Sequence, residues 1–167
     1  MSPSIPTLSI QSLDGRFRID FRWEQDRYRQ YLSLSDVLVG SSLEGDSDEA
    51  WPPSPPIQQL SIETINDQPT ALAVGAAGRG HWSLSGEPDP NCHSAIQFEL
   101  ACRSQEATQF LGSTYELAAS LCVEPIVGEV DLVDRQSNGD PAARQQITIR
   151  PISVDTTCRW RYRIQPT

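Results

Sequence analysis

The sequence predicts an all-β fold: a single-domain antiparallel β-sandwich or barrel of about nine strands, with at most one short helix. Three observations predict it. Apolar and polar residues alternate with period two over stretches of strand length. Clusters of Gly, Pro, Asn and Asp punctuate those stretches. Helical patterns do not alternate with them, as a βαβ fold would require. At 167 residues the chain fits one domain of ordinary size, large enough to stand without a disulfide or metal staple. Residues 1–167 are therefore assigned to one domain, without an internal repeat.

The clearest strand comes early. Phe17, Ile19, Phe21 and Trp23 alternate with Arg16, Arg18, Asp20 and Arg22. After the polar break Glu24-Gln25-Asp26, the positions Tyr28, Leu32 and Leu34 mark a second run, interrupted on that face by Gln30, and the two form a hairpin. Residues 40–56 hold four prolines and four acids and read as a long acidic, proline-rich loop, because proline removes amide donors and glycine permits turns. Ile57 to Ile65 is the next strand, Asn66-Asp67-Gln68-Pro69 a turn, and Ala71 to Val74 a short apolar strand. Gly75, Gly78 and Gly80 break it before His81 to Ser85 resumes alternation. Glu87 to Asn91 is another turn, and Ile96, Phe98, Leu100 and Cys102 alternate cleanly with Gln97, Glu99, Ala101 and Arg103.

Residues 105–122 mix helix formers with Gly112 and the β-branched Thr114; strand is the preferred reading. Val123 to Val133 follows, broken by Pro125 and Gly128, then a loop over Gln136 to Ala143. Two strands, Gln146 to Val154 and Thr157 to Ile164, close the chain.

Composition narrows the function. Hydrophobic residues make up 38% and charged residues 21%, which is globular rather than disordered composition. The net charge of −9 repels phosphate backbones, so nucleic acid is not an expected partner. All 13 basic residues are arginine; without lysine there is no Schiff-base chemistry and no P-loop. The N-terminus lacks the basic and apolar regions of a signal peptide, and no run approaches the ~18 apolar residues of a membrane span. The expectation is a cytoplasmic protein that does not engage membranes.

Four cysteines, at 92, 102, 122 and 158, follow no metal or redox spacing. In a reducing compartment they pack as small hydrophobes; in an oxidising one, two disulfides in any of three pairings are open. No cofactor and no metal site are expected. Cys92-His93, joined by another cysteine, would be the candidate zinc site, weighed against plain core packing for Cys102.

The arginines are unevenly placed. In the last strand Trp160, Tyr162 and Ile164 share one side, and Arg159, Arg161 and Arg163 the other. The first hairpin supplies Arg16, Arg18, Arg22, Arg27 and Arg29. If first and last strands lie in the same sheet, these eight form one basic face on an acidic protein, suited to an acidic protein partner, to an anionic ligand, or to the acidic 44–49 segment of another copy. The bland alternative is a solvated sheet face whose arginine stems cover apolar surface, with Asp20, Glu24 and Asp26 as local partners. Trp51, in the acidic loop, either caps the core or offers a stacking surface.

Catalytic signals are weak. Gly75-Ala76-Ala77-Gly78-Arg79-Gly80 reverses the dinucleotide spacing and precedes a strand instead of a helix, so it reads as a glycine turn or bulge. His81 and Ser83 share a strand face, but no nucleophile elbow surrounds them. Glu99, Glu129 and Asp131 are strand acids of the kind a jelly-roll glycosidase uses, with nothing fixing their separation. The acids around Asp46 and Asp48 lack the ligand and glycine of a calcium loop where Ala50 and Trp51 stand. The leading expectation is a non-enzymatic binding or assembly module using the arginine face, with a homo-oligomer as one outcome. A hydrolase or carbohydrate-active enzyme on a sandwich scaffold is the alternative, and a barrel holding a small apolar ligand a third.

Overall fold

The alternating stretches become strands whose apolar sides meet between two sheets. The computed structural model describes residues 3–133 and 144–167; the loop expected over 136–143 lies outside the described residues. The strands are β1 (Leu8–Gln11), β2 (Phe17–Glu24), β3 (Arg27–Leu34), β4 (Val37–Ser42), β5 (Gln59–Ile65), β6 (Gln68–Ala77), β7 (Gly80–Pro88), β8 (Ile96–Ser104), β9 (Ser113–Leu117), β10 (Leu121–Val127), β11 (Glu129–Val133), β12 (Gln145–Arg150) and β13 (Thr157–Pro166). One sheet has seven strands in the order β1-β2-β3-β4-β9-β12-β11, and the other six in the order β10-β13-β8-β7-β6-β5. All pairings are antiparallel. The sheets pack as a sandwich and do not close into a barrel. Among the described residues there is no helix, hence none long and apolar enough to cross a membrane.

Among the described residues thirteen strands stand where about nine were expected. The additions are β1, β4 and splits of longer stretches: Gly128 separates β10 from β11 with φ at 147°. β4 absorbs the start of the predicted loop, so irregular chain begins at Leu43. Residues Asn66 and Asp67, both with positive φ, suffice for the β5–β6 turn, and Gln68-Pro69 join β6. Ser35-Asp36 connects β3 and β4 in the same left-handed conformation without glycine. The ambiguous stretch yields strand β9.

One core fills the space between the sheets. Phe17, Ile19 and Phe21 of β2 are fully buried, as are Trp160, Tyr162 and Ile164 of β13. Two polar contacts tie the sheets through this core. The hydroxyls of Tyr115 on β9 and Tyr162 on β13 lie 2.7 Å apart, and Tyr115 donates to Gln30 Oε1 at 2.9 Å. Trp160 Nε1 donates to Ser113 Oγ at 3.0 Å. Gln30, which broke the apolar pattern of β3, is thus the acceptor that lets a tyrosine hydroxyl be buried without losing its partner. Burial holds both tyrosine pKa values well above the usual phenol range.

The loop from Leu43 to Pro56 lies back on the sandwich. Ser54 Oγ donates to Thr114 O and accepts from Thr114 N. Trp51 packs edge-on against Trp82, with ring centroids 6.0 Å apart. Pro56 O passes so close to Gly75 that a Cβ there would sit 1.6 Å from it. The glycine stretch is therefore a crossing point and a turn: Gly75 lies within β6, and Gly78, at φ 54°, turns the chain into β7.

Candidate functional site

The topology divides the eight terminal arginines. β2 and β3 belong to the seven-stranded sheet and β13 to the six-stranded sheet, so the expectation that first and last strands share a sheet is corrected. Arg18, Arg22, Arg27 and Arg29 point from the outer face of one sheet, Arg159, Arg161 and Arg163 from that of the other, and Arg16 lies exposed just before β2. Sequence alternation assigns a side chain to a side of its own strand; it does not say which sheet the strand joins.

The hairpin arginines are matched by acids of the same face. Arg18 reaches Asp20 at 3.0 Å and Asp36 at 2.9 Å, and Arg22 reaches Asp20 at 3.5 Å. Arg22 and Arg29 are register partners across the hairpin, a like-charge pair. Both lie over the Tyr31 ring, at 4.5 Å and 5.4 Å from its centroid; Tyr31 donates to Glu24, which also faces Arg29 at 3.6 Å. Arg27 is 3% exposed. It forks onto Asp26 at 2.9 and 3.2 Å and donates to Asp46 O. The acidic loop thus meets an arginine of its own chain. A small polar cavity of about 200 Å³ remains there, lined by residues that include Arg27, Arg29, Glu44 and Asp46. Within this region Arg27 Nη1 and Glu44 Oε2 are enclosed without hydrogen-bond partners among the described residues. Burial pushes the Glu44 carboxyl up to about 7, against the Ser42 hydrogen bond and the charges of Arg27 and Arg29.

The outer face of the six-stranded sheet is built differently. Registers align its outward residues in rows across the strands. One row runs Gln59, Val74, Ser83, Ala101, Arg159, and the next Ser61, Leu72, Ser85, Glu99, Arg161. Ser83 and Ser85 on β7 and Ala101 on β8 leave a valley between an apolar ridge, Leu72 and Val74, and a basic wall on β13, with Glu99 standing on the β8 side. Two adjoining depressions of about 590 and 510 Å³ share Gln59, Val74, Ser83 and Ala101 and form one open trough. Leu72 and Val74 are 37% and 48% exposed. At one end a polar chain closes the face: Gln97 donates to Glu87, Arg161 to Gln97, and Arg163 lies 3.4 Å from Asp89 and 3.5 Å from Glu124. Along the open part Arg159 has, among the described residues, only Glu99 as an ion-pair partner, at 4.0 Å. Arg103, exposed beside His81 and Thr157, has no ion pair among the described residues.

The remaining candidates do not converge. His81 and Ser83 both line the trough, and no hydrogen bond joins them among the described residues. Glu99 lies on the six-stranded sheet, whereas Glu129 and Asp131 belong to β11 at the edge of the other, and Asp131 pairs with Arg150. Among the described residues no three His, Cys, Asp or Glu groups are placed to hold a metal. Cys92 Sγ contacts Gln165 Oε1 at 3.2 Å, while Cys102 and Cys158 are buried opposite one another in the core; burial pushes the Cys102 thiol up to about 12. The cysteines stand as free thiols. Trp51 is half-buried over the core.

Sequence reasoning missed Arg103, Leu72 and Val74 as site residues. Their signal was present in part, since Arg103 falls on the polar side of its strand. The information lacking was the register that sets it beside β13. No protein-family model and no curated protein matches the chain.

Proposed function

We propose that the protein is a non-catalytic docking module, and that its docking surface is the outer face of the six-stranded sheet. The observation that carries this reading is the trough itself. It combines an exposed apolar ridge, a floor of small side chains and a wall on which Arg103 and Arg159 are barely neutralised. An extended acidic polypeptide suits all three: its apolar side chains meet Leu72 and Val74, its backbone lies over the serines and alanine, and its carboxylates meet guanidinium groups by paired hydrogen bonds.

The openness of the trough favours docking over catalysis, which needs convergent groups in a concavity that excludes water. Sugar binding is less well supported. The rings that would stack on a saccharide, Trp82, Trp160 and Phe98, are buried beneath the sheet. Arg18, Arg22, Arg27 and Arg29 are less suited to a partner, because each already has an acid of its own chain within reach.

Fluorescence anisotropy with a labelled polyglutamate peptide tests the reading. The wild-type chain is expected to bind in a salt-sensitive manner. Replacing Arg103→Glu together with Arg159→Glu weakens binding by about tenfold or more, equivalent to ~1.4 kcal/mol. The matched pair Arg18→Glu and Arg22→Glu on the other sheet leaves binding near wild type. Equal losses from both pairs, or none from either, would remove this face as the docking surface.

A further inference from the structure

The docking face has a ridge and a valley side by side, so it is complementary to itself. We infer that the partner is a second copy of this chain, packed face to face through the six-stranded sheet about a twofold axis that runs along the strands between β6 and β7. This inference rests on the docking reading above and names its occupant.

The geometry follows from strand order and register. Neighbouring strands are ~4.8 Å apart, so the ridge on β6 lies roughly 7 Å from the middle of the valley between β7 and β8. A twofold axis halfway between them carries the ridge of each copy over the valley of the other. Leu72 then lies between the partner's Ser85 and the partner's Glu99, its own row mates. Val74 lies between the partner's Ser83 and the partner's Ala101. Both contacts are made twice, as a closed isologous dimer requires. The close fit is in the row of Val74, over serine and alanine; in the row of Leu72, Glu99 is drawn to its own Arg159, 4.0 Å away, which leaves Ser85 as the small floor residue.

Charge agrees with shape. The same operation brings β5 over the strip between β8 and β13. β5 carries Glu63, one row from Arg161 and in the row of Arg163. The edge strand of each copy thus presents a carboxylate to the basic wall of the other, while Gln59 and Ser61 add no positive charge. On a chain of net charge −9 this arginine wall is a place where a second acidic copy is attracted. The overlap is modest. With the axis between β6 and β7, β5 to β8 of each copy lie under the other, roughly 17 by 30 Å or ~500 Å² per copy, below the ~800 Å² per partner of a standard interface and suited to a weak, concentration-dependent dimer.

Sedimentation velocity tests the arrangement. Across about 1–200 µM protein the wild-type chain is expected to move towards a species of twice 18.5 kDa. Ser83→Trp fills the valley from within and raises the dissociation constant at least about tenfold, with the far-ultraviolet circular dichroism unchanged. Should that variant fail to fold, Val74→Ser removes part of the ridge and is expected to weaken the dimer without touching the core. Glu63→Arg also weakens it, and adding Arg161→Glu recovers much of the loss, which only a contact across the twofold explains. A species of 18.5 kDa at every concentration, or a dimer indifferent to Ser83→Trp and to the charge exchange, overturns the inference. The two proposals fail separately. A monomer that still binds polyglutamate through Arg103 and Arg159 keeps the docking surface and loses the second copy; a monomer that does not bind it loses both.

Discussion

The two outer faces of this sandwich carry arginines in similar alternating patterns, yet use them in opposite ways. On the seven-stranded sheet the guanidinium groups are built into the fold: Arg18 and Arg22 share Asp20, Arg22 and Arg29 stack on Tyr31, and Arg27 is enclosed by the loop that begins at Leu43. On the six-stranded sheet Arg163 is paired with Asp89 and Glu124, whereas Arg161, hydrogen-bonded to the neutral Gln97, has no ion pair among the described residues, and Arg103 and Arg159 stand at the rim of an open trough. What differs is the supply of neighbours. The hairpin alternates acids with its arginines, at Asp20 and Glu24, so charges cancel along and across the strands. β13 has no acid between Thr157 and Pro166 and depends on Glu99 of β8, Glu124 of β10 and Asp89 between β7 and β8 for counter-charges. A basic residue is available to a partner only where its own sheet has not already neutralised it.

This contrast breaks first, and most severely, at Arg27. Arg27→Ala removes a buried fork to Asp26 and the donor to Asp46 O, and leaves a void under the loop. The expected loss is about 2–4 kcal/mol of unfolding free energy in urea titration. A loss below about 0.5 kcal/mol would make Arg27 an ordinary surface residue and dissolve the distinction between the faces.

The same corner has a pH signature. Glu44 faces Arg27, Arg29, Glu24 and Ser42, and its folded pKa, raised to about 7, lies above the ordinary value of 4.5. Between those values the folded state holds a proton that the unfolded state has lost, so stability falls as pH rises through the window and is flat above it. The drop is roughly 1–3 kcal/mol. Asp26 acts in the other direction: Arg27 lowers its pKa below 3.8, so its contribution is present above that value and disappears in acid. Urea midpoints at about pH 5 and 7.5 are expected to differ for wild type and to coincide for Glu44→Gln. A slope that persists in Glu44→Gln assigns the titration elsewhere.

Next in size is Asp20, which accepts from Ser9 at 2.6 Å and sits between Arg18 and Arg22. Asp20→Ala leaves two like charges on one strand with a single remaining acid, Asp36, and is expected to cost about 1–2 kcal/mol. Thermal melts that place it within ~1 °C of wild type would show that the hairpin tolerates its arginines unpaired.

How much of this was legible in the sequence follows from how local each feature is. Period-two alternation in Phe17–Trp23, Ile96–Cys102 and Trp160–Ile164 reports which side of a strand is buried, and each of those sides faces the core. The β2–β3 hairpin was legible because its partners are neighbours in the chain. Sheet membership was not, because β4 pairs with β9, and β13 with β8 and β10, across dozens of intervening residues. The trough is a product of such registers: Ser83, Ala101 and Arg159 are unremarkable apart and become one row only when β7, β8 and β13 align. The turn at Ser35-Asp36 carries no glycine or asparagine to mark its positive φ, and Gly75 reads as a breaker in the sequence because the passage of Pro56 beside it is a tertiary event.

The smallest effect on stability is expected where the functional consequence is largest. Arg159 is 69% exposed and 4.0 Å from Glu99, a separation at which a solvated pair contributes next to nothing; Arg103 has no ion pair among the described residues. Arg103→Ala and Arg159→Ala should each change unfolding free energy by less than about 0.5 kcal/mol. Their stems lie along the trough rather than in the core, so no cavity follows their removal. Polyglutamate binding by the same variants is expected to fall several-fold, because a guanidinium left unpaired in the free protein has no internal partner to give up when a carboxylate arrives. Measured together, the two numbers decide the comparison. Stability lost with binding retained would make the β13 wall another structural ion network like the hairpin. Binding lost with stability retained is what a docking face requires.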